Sequence, residues 1–268
     1  MHLTEDVDEF LAHAGDFLRT RPALHTTQLT TVETLRTDGP DATTFGWLER
    51  DGQVDAAFYR RPTGRLTLTA LSPEQADTLA ADLAGFDLSG VTADHDSAAA
   101  FAEAWQRHTG VTAVPDWRGR LHRLGTLTPP TPIPEGRGRV VGAADRDQLI
   151  RWCGEFAAAV GEFVDAGSWA GSRFARKHFT FWETDTVVAM AGSTSMVAGM
   201  VRVDPVYTPA RFRGRGYGGA VTVAVTRAAL DAGARDVVLF TDPANPTSNA
   251  LYRRIGYVPI ADFTGYGF

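Results

Sequence analysis

Residues 201–232 read VRVDPVYTPARFRGRGYGGAVTVAVTRAALDA. The run opens as a strand: Val201, Val203 and Val206 are β-formers, and Pro205 and Pro209 suit an edge or a strand end. From Gly219 onward Val221, Ala224, Val225, Ala228 and Ala229 recur at the three- and four-residue spacing of a helix. Between the two lies Arg211-Phe212-Arg213-Gly214-Arg215-Gly216-Tyr217-Gly218-Gly219, with four glycines in six residues, which are costly to order. Such a turn lets the backbone approach an anion closely. The first N–H groups of the following helix have no internal partner and lie at the positive end of its dipole. Arg211, Arg213 and Arg215 add charge of the same sign. The stretch predicts a pyrophosphate site at a strand–turn–helix junction.

Gly214-x-Gly216-x-x-Gly219 matches the dinucleotide fingerprint, and Asp242, after a strand at 237–240, stands where a ribose-binding acid would. Context opposes that reading. Residues 207–213 separate the strand from the first glycine, and the motif lies behind antiparallel-looking strands with too little sequence left for a doubly wound sheet. A dinucleotide-binding oxidoreductase is the lesser alternative.

Arg211-x-x-Gly214-x-Gly216, extended by Gly218, resembles the R/Q-x-x-G-x-G/A turn of the GNAT superfamily of N-acetyltransferases. Downstream, Asn245-Pro246-Thr247-Ser248-Asn249-Ala250-Leu251-Tyr252-Arg253-Arg254-Ile255-Gly256-Tyr257 resembles that family's N-x-x-(A)-x-x-x-Y-x-x-x-G-[FY] segment. The resemblance covers residues 138–268 and is most specific over 206–257.

The resemblance implies acetyl-CoA as cosubstrate. Its pyrophosphate would lie on the amides of Gly214, Gly216 and Gly218, flanked by Arg211, Phe212, Arg213, Arg215 and Tyr217. Its pantetheine arm would pair with the backbone of Val206, Tyr207 and Thr208, on a strand that splays from its neighbour. Tyr252 would protonate the departing thiolate. Asn245 would bond the arm and Asn249 line the same helix, although Asn-Pro-Thr-Ser is also ordinary N-cap chemistry. Arg253 and Arg254 would be near the adenosine 3′-phosphate or simply solvated. The glutamate that some members carry on the strand has no counterpart, because Met200 and Val201 are apolar. Asp204, Glu162, Asp165, His178 and Glu183 are candidate proton acceptors, beside a water relay or a weakly basic acceptor. Glu155 reads as an exposed helix residue, Ser193-Thr194-Ser195 as pocket lining or a turn, and Trp169, Phe181 and Trp182 as core or as walls of the same pocket.

Along the rest of the chain, Val7, Phe10, Leu11, Ala14, Phe17 and Leu18 form a helical stripe over 4–19, with Thr4 or Asp6 as cap. A short helix or turn follows over 27–36. Strand-like runs at 43–50, 54–60 and 66–70 are joined by Asp51-Gly52 and Pro62-Thr63-Gly64. Ser72 and Gln75 bracket the start of a helix. A strand at 91–93, a helix at 97–108 and a strand or pair at 117–127 complete the first half. The second half repeats this order: helix 146–161, strands 178–183, 187–191 and 196–206, helix 217–232, strand 236–241, helix 246–255 and a last strand at 257–263. Four prolines in 128–134 make a stiff spacer. The expected fold is α/β (α+β): tandem GNAT-like halves, each a mixed, mainly antiparallel sheet flanked by helices. Residues 1–133 would be a degenerate GNAT-like or cap domain without a phosphate turn, and 134–268 the catalytic domain.

The chain has 268 residues, 44% hydrophobic, and a net charge of −6, which argues against a nucleic-acid partner. No apolar run is long enough to span a membrane and the N-terminus is acidic, so a cytoplasmic protein is expected. Cys153 reads as a packed helix residue, and no Cys/His cluster suggests a metal. The expected function is acetyl transfer from acetyl-CoA to a primary amine, on a small-molecule acceptor, by direct attack. A non-catalytic acyl-CoA sensor or scaffold is the alternative.

Overall fold

A computed structural model describes residues 1–39, 41–161, 165 and 167–268, without the side chain of Asp38. The chain forms two compact units. The first comprises Met1–Leu121, Thr241–Ala244 and Pro259–Phe268; the second comprises His122–Phe240 and Asn245–Val258. The ten C-terminal residues thus group with the N-terminal half instead of closing the second unit.

The first unit begins with β1 (His2–Thr4), α1 (Val7–Thr20) and α2 (Thr26–Asp38). Asp6 caps α1 by accepting the amides of Asp8 and Glu9, and the stripe turns Phe10, Ala14 and Leu18 into the core. Strands β2 (Thr44–Arg50), β3 (Gln53–Arg60) and β4 (Arg65–Leu68) follow as antiparallel neighbours. Next come α3 (Pro73–Leu83), β5 (Gly90–Asp94) and α4 (His95–Thr109). β5 lies parallel to β4, from Arg65↔Gly90 to Thr67↔Thr92. β6 (Val114–Leu124) ends in the second unit.

The second unit contains β7 (Arg137–Val140), α5 (Arg146–Ala159), β8 (His178–Glu183), β9 (Val187–Ser193), β10 (Met200–Tyr207), α6 (Tyr217–Asp231), β11 (Asp236–Thr241, its last residue in the first unit) and α7 (Pro246–Arg254). β12 (Tyr257–Gly267) starts here, and its residues Phe263–Gly267 pair antiparallel with β5 in the first unit. The ladder β7-β8-β9-β10 is antiparallel, and β11 joins β10 in parallel. The sheets are therefore mixed and mainly antiparallel, which excludes the doubly wound sheet that a dinucleotide site requires.

Each unit runs antiparallel hairpin, strand, helix, parallel strand, helix. In the second, α6 lays Ala220, Val221, Val225 and Ala229 over Val201, Val203, Val237 and Leu239, with Tyr252 and Ile255 completing that layer. On the other face, α5 buries Leu149, Trp152, Cys153 and Ala157 against Phe174, Phe179, Phe181 and Met190. Phe181 and Trp182 are core residues, and the Trp182 Nε1 donates to the Glu135 carbonyl at 2.9 Å. Among the described residues, no helix is long and apolar enough to cross a membrane.

The chain leaves α7 through Gly256, whose φ is +101°. A Cβ there would lie 1.8 Å from the Thr126 carbonyl oxygen. Gly256→Ala is expected to cost more than about 2 kcal/mol, from left-handed strain and a backbone clash. Gly171→Ala, where a Cβ meets nothing within 4 Å, should change stability by less than about 0.5 kcal/mol. Urea unfolding midpoints of the two variants test the difference.

Candidate active site

The site starts from a strand that loses one neighbour. β10 pairs with β9 from Val203↔Ser193 to Tyr207↔Met190, with a register shift between Val203 and Val206. Its ladder to β11 contains Met200↔Asp236, Val201↔Val237 and Arg202↔Val238 and ends there. The irregular segment holds Asp204 and Pro205, joined by a cis peptide, and Pro205 has no N–H to give to a ladder. Val206 and Tyr207 follow on the stretch that β11 no longer covers.

The chain then turns through Pro209 and a short 3-10 segment, Ala210–Phe212. Arg213 Nε donates to the Thr208 carbonyl at 2.9 Å and holds the turn on the strand end. Gly214 and Gly216 have φ of +76° and +82°, the left-handed region that favours glycine. A Cβ on Gly214 would meet nothing within 4 Å, so this side of the turn is open. Gly216 is the N-cap of α6, and no side chain caps it. The amides opening α6, those of Tyr217 and Gly218, thus form an uncapped helix start beside an open turn. Arg211, stacked at 4.6 Å on the Phe212 ring, and Arg213 and Arg215 are exposed around it. This donor set fits a pyrophosphate. Gly218 and Gly219 also have a packing role: a Cβ on the first would sit 3.3 Å from Thr208 Oγ1, and on the second 3.0 Å from Leu251.

α7 follows. Asn245 Oδ1 accepts the Ser248 amide at 3.1 Å, and buried Asn249 donates from Nδ2 to the Asn245 carbonyl at 2.7 Å. Both asparagines thus serve the helix start, the N-cap chemistry legible in their sequence. Tyr252 is buried, edge-on to Tyr257 at 6.1 Å between centroids. Burial, then Tyr257, then the negative charge of Asp204 push its hydroxyl well above the usual phenol range, so it keeps its proton. Arg253 and Arg254 lie exposed in the last turn of α7, where positive charge suits the helix dipole.

Other expected residues are placed apart from one another. Glu183 is bonded to Arg139 at 3.2 Å, and Asp165 closes a turn with Ser168 at 2.8 Å. His178 Nε2 lies 3.4 Å from Ser195 Oγ. Ser193 ends β9 and Thr194 bonds Arg202 of β10, so this polar run continues the hairpin and the turn comes later, at Ala198–Gly199. Asp242 accepts the Ala244 amide in a local turn. Glu162 lies outside the described residues. The Cys153 thiol is buried and pushed up to about 12 by desolvation, which makes it a packing residue. Among the described residues, no group of three His, Cys, Asp or Glu could hold a metal ion.

Two contacts were not legible in the sequence. Tyr207 donates to Glu155 Oε2 at 2.5 Å and packs edge-on against Trp152. Burial and that carboxylate raise the Tyr207 phenol to about 12. More unusual is Lys177, the single lysine among 26 basic residues. Its side chain is 6% exposed and its Nζ bonds Asp204 Oδ2. Arg173 Nη1 donates to the same oxygen at 2.5 Å. Burial brings the Lys177 ammonium down to about 8; Asp204 opposes that shift, while Arg202 and Arg173 add to it. Desolvation pushes the Asp204 carboxyl up, but Lys177, Arg173 and Arg202 prevail and hold it at about 2. A carboxylate so acidic and already shared by two cations is a poor proton acceptor. The lone lysine was the available signal, since every other such cation is an arginine.

Residues 135–257 match the model of the acetyltransferase (GNAT) family. A GCN5-related N-acetyltransferase from Sphaerobacter thermophilus aligns over 87% of this chain and 84% of its own, at 18% identity and a TM-score of 0.60. A Drosophila protein aligns over 98% and 95%, at 15% identity and 0.66. A tandem GNAT protein from the clavulanic acid biosynthesis pathway aligns over 99% and 98%, at 14% identity and 0.57. No match was found among curated proteins. The fold is that of tandem GNAT proteins, and residues 135–257 are a GNAT acetyltransferase domain. The N-terminal half is GNAT-like in fold.

The ion cluster makes acid stability depend on Asp204. Its folded pKa lies below the ordinary value of 3.8, so its contribution is present above that value and is lost as pH falls through about 2. The stability difference between wild type and Asp204→Asn should shrink by roughly 2 kcal/mol between pH 5 and pH 2. Urea titrations at a series of pH values measure it; a constant difference would remove the ionic role of Asp204.

Proposed function

We propose that this protein is an acetyl-CoA-dependent N-acetyltransferase that acetylates a primary amine of a small-molecule acceptor, with the cytoplasm as its expected setting. The observation that carries the reading is the junction after Arg202, where β10 parts from β11 and runs into an open glycine turn at an uncapped helix start. The amides of Gly214, Gly216, Tyr217 and Gly218, with Arg211, Arg213 and Arg215, would hold the pyrophosphate. The backbone of Val206, Tyr207 and Thr208 would pair with the pantetheine arm as an added strand. Phe212 would flank the turn, with Asn245 and Asn249 shaping the far wall through the start of α7.

Acetyl-CoA supplies the activated acyl group. The acceptor nitrogen attacks it directly, the C–S bond breaks, and Tyr252 donates its proton to the thiolate sulfur. The high phenol pKa keeps that proton available throughout the neutral range. No covalent enzyme intermediate is involved.

The first unit lacks the corresponding opening. The helix after β4 begins with a closed capping box: Ser72 Oγ accepts the Gln75 amide, and Gln75 Oε1 accepts the Ser72 amide. Ser97 Oγ accepts the Leu71 amide at 2.8 Å and sits 3.4 Å from the Leu71 carbonyl. We assign this unit no coenzyme site.

Calorimetric titration should therefore give micromolar acetyl-CoA binding at one equivalent per chain and no binding of NADH. Gly216→Glu should abolish the binding while leaving the chain folded by circular dichroism. Tyr252→Phe should keep the acetyl-CoA affinity and lower kcat about a hundredfold. A folded wild type that binds no acetyl-CoA would overturn the reading.

A further inference from the structure

Accepting the coenzyme reading above, the attacking amine needs a proton acceptor. Of the candidates in the sequence, Asp204 is matched by cations, Glu183 is held by Arg139, Asp165 closes a turn, His178 lies against Ser195 Oγ at 3.4 Å, and Glu162 lies outside the described residues. We propose that Lys177, bonded to Asp204 where β10 leaves β11, is the catalytic proton acceptor of the acetyl transfer.

Three structural facts point there. First, Lys177 is the one basic side chain, histidines aside, that can release a proton, because the other 25 basic residues are arginines. Where the chain otherwise uses arginine throughout, a lysine marks a place for a compact ammonium that can titrate. Second, the location matches the reaction. Asp204 lies just beyond the last β10–β11 pair, on the irregular segment that precedes Val206, and its charge is felt at the Tyr252 hydroxyl. Third, the cluster is arranged asymmetrically. Lys177 and Arg173 both meet Oδ2, whereas Oδ1 has no partner among the described residues. Asp204 is about a quarter exposed and Lys177 almost wholly buried. An acceptor N–H can bond Oδ1 while Nζ waits on the other oxygen.

The charged and titratable groups around Nζ come from several elements. Among the described residues they are Asp204 and Arg202 on β10, Arg173 in the segment before β8, and Cys153 on α5. The arginines stay charged and the Cys153 thiol stays neutral in the working range. Desolvation and the arginines favour loss of the lysine proton and Asp204 opposes it, which leaves the ammonium with a pKa of about 8.

The step balances. The neutral amine of Lys177 takes the proton that the acceptor nitrogen loses as its bond to the acetyl carbon forms, while Asp204 stays ionised and holds Nζ through Oδ2. The sulfur that leaves takes the Tyr252 proton. Lys177 then releases its proton to solvent, and Tyr252 regains one from solvent.

A chain with one lysine gives one resonance when labelled with lysine carrying 13C at Cε, so Lys177 can be titrated directly. Its midpoint should lie near 8. With acetyl-CoA saturating and the best of phenethylamine, aniline, spermidine and glycine as acceptor, kcat should rise with pH through the same midpoint. Asp204→Asn should move the resonance and the kinetic limb together to lower pH. Lys177→Arg keeps the charge beside Asp204 but cannot give up the proton. It should lose kcat about a hundredfold with unchanged acetyl-CoA affinity. A Lys177→Arg enzyme of wild-type activity, or a limb that does not follow the resonance, would overturn the assignment. Should none of the four amines be acetylated, the resonance decides: a midpoint at the ordinary lysine value of 10.5 overturns the assignment, and one near 8 supports it. Failure of wild type to bind acetyl-CoA would instead remove the function proposed above.

Discussion

The second unit depends on one unfinished ladder. β10 is held by β9 to its end at Tyr207, but by β11 only as far as Arg202. A strand inside a sheet normally satisfies its backbone on both sides, because buried N–H and C=O groups without partners are costly. Here the pairing with β11 stops at Arg202, just before the irregular Asp204-Pro205 segment of the β9 ladder. The stretch beyond it runs into a glycine turn and a helix whose first amides also lack a cap. Unmet donors and acceptors are thus concentrated along one path, from the middle of β10 to the start of α6. An extended ligand with amides at one end and phosphates at the other would satisfy that path, and the proposed coenzyme reading rests on this backbone geometry.

Charge at the inner end of this path is arranged with similar economy. A buried ion pair is rarely the most stable filling for its volume, since well-packed apolar residues often do as well or better. Lys177 and Asp204 carry that cost beside a core of Phe174, Phe179, Phe181 and Met190. Arg173 shares their carboxylate oxygen and stacks at 4.4 Å on Phe174, which anchors the segment before β8 to the irregular part of β10. Across the strand, Tyr252 is held in its protonated form by burial and by the same Asp204. One carboxylate thus bears on both a buried phenol, whose loss of a proton it opposes, and a buried ammonium, whose charge it favours.

Much of the architecture was legible because the residues that form it are contiguous. Asp51-Gly52 marked a hairpin, Ser72 and Gln75 a capping box, and the 201–232 stretch a strand–turn–helix, each from local chemistry. Position along the chain was harder. The strand expected from residue 196 starts at Met200, because Val197 makes only an isolated bridge and the turn through Ala198 and Gly199 has positive φ. β7, Arg-Gly-Arg-Val, was missed since it has no alternating apolar face. The site's charges were illegible for another reason. Lys177 and Asp204 are 27 residues apart and Tyr207 and Glu155 are 52 apart, and no local pattern pairs such residues. Asp204 was a candidate base in the sequence; two cations on one of its oxygens change its chemistry.

The two units show how little sequence separates a fold from a site. Both run antiparallel strands into a parallel pair, with a helix in the crossover and a second helix after it. In the first, Ser72, Gln75 and Ser97 meet the backbone groups that a ligand would otherwise meet, and Glu74 sits in the helix's first turn where an anion would be repelled. In the second, glycines stand in the corresponding turn and leave those groups open. The cores of the two units are built by the same physics, and neither core distinguishes a coenzyme-binding unit from a silent one. The structural difference between them is that the strand–helix junction closes on its own side chains in the first unit and stays open in the second.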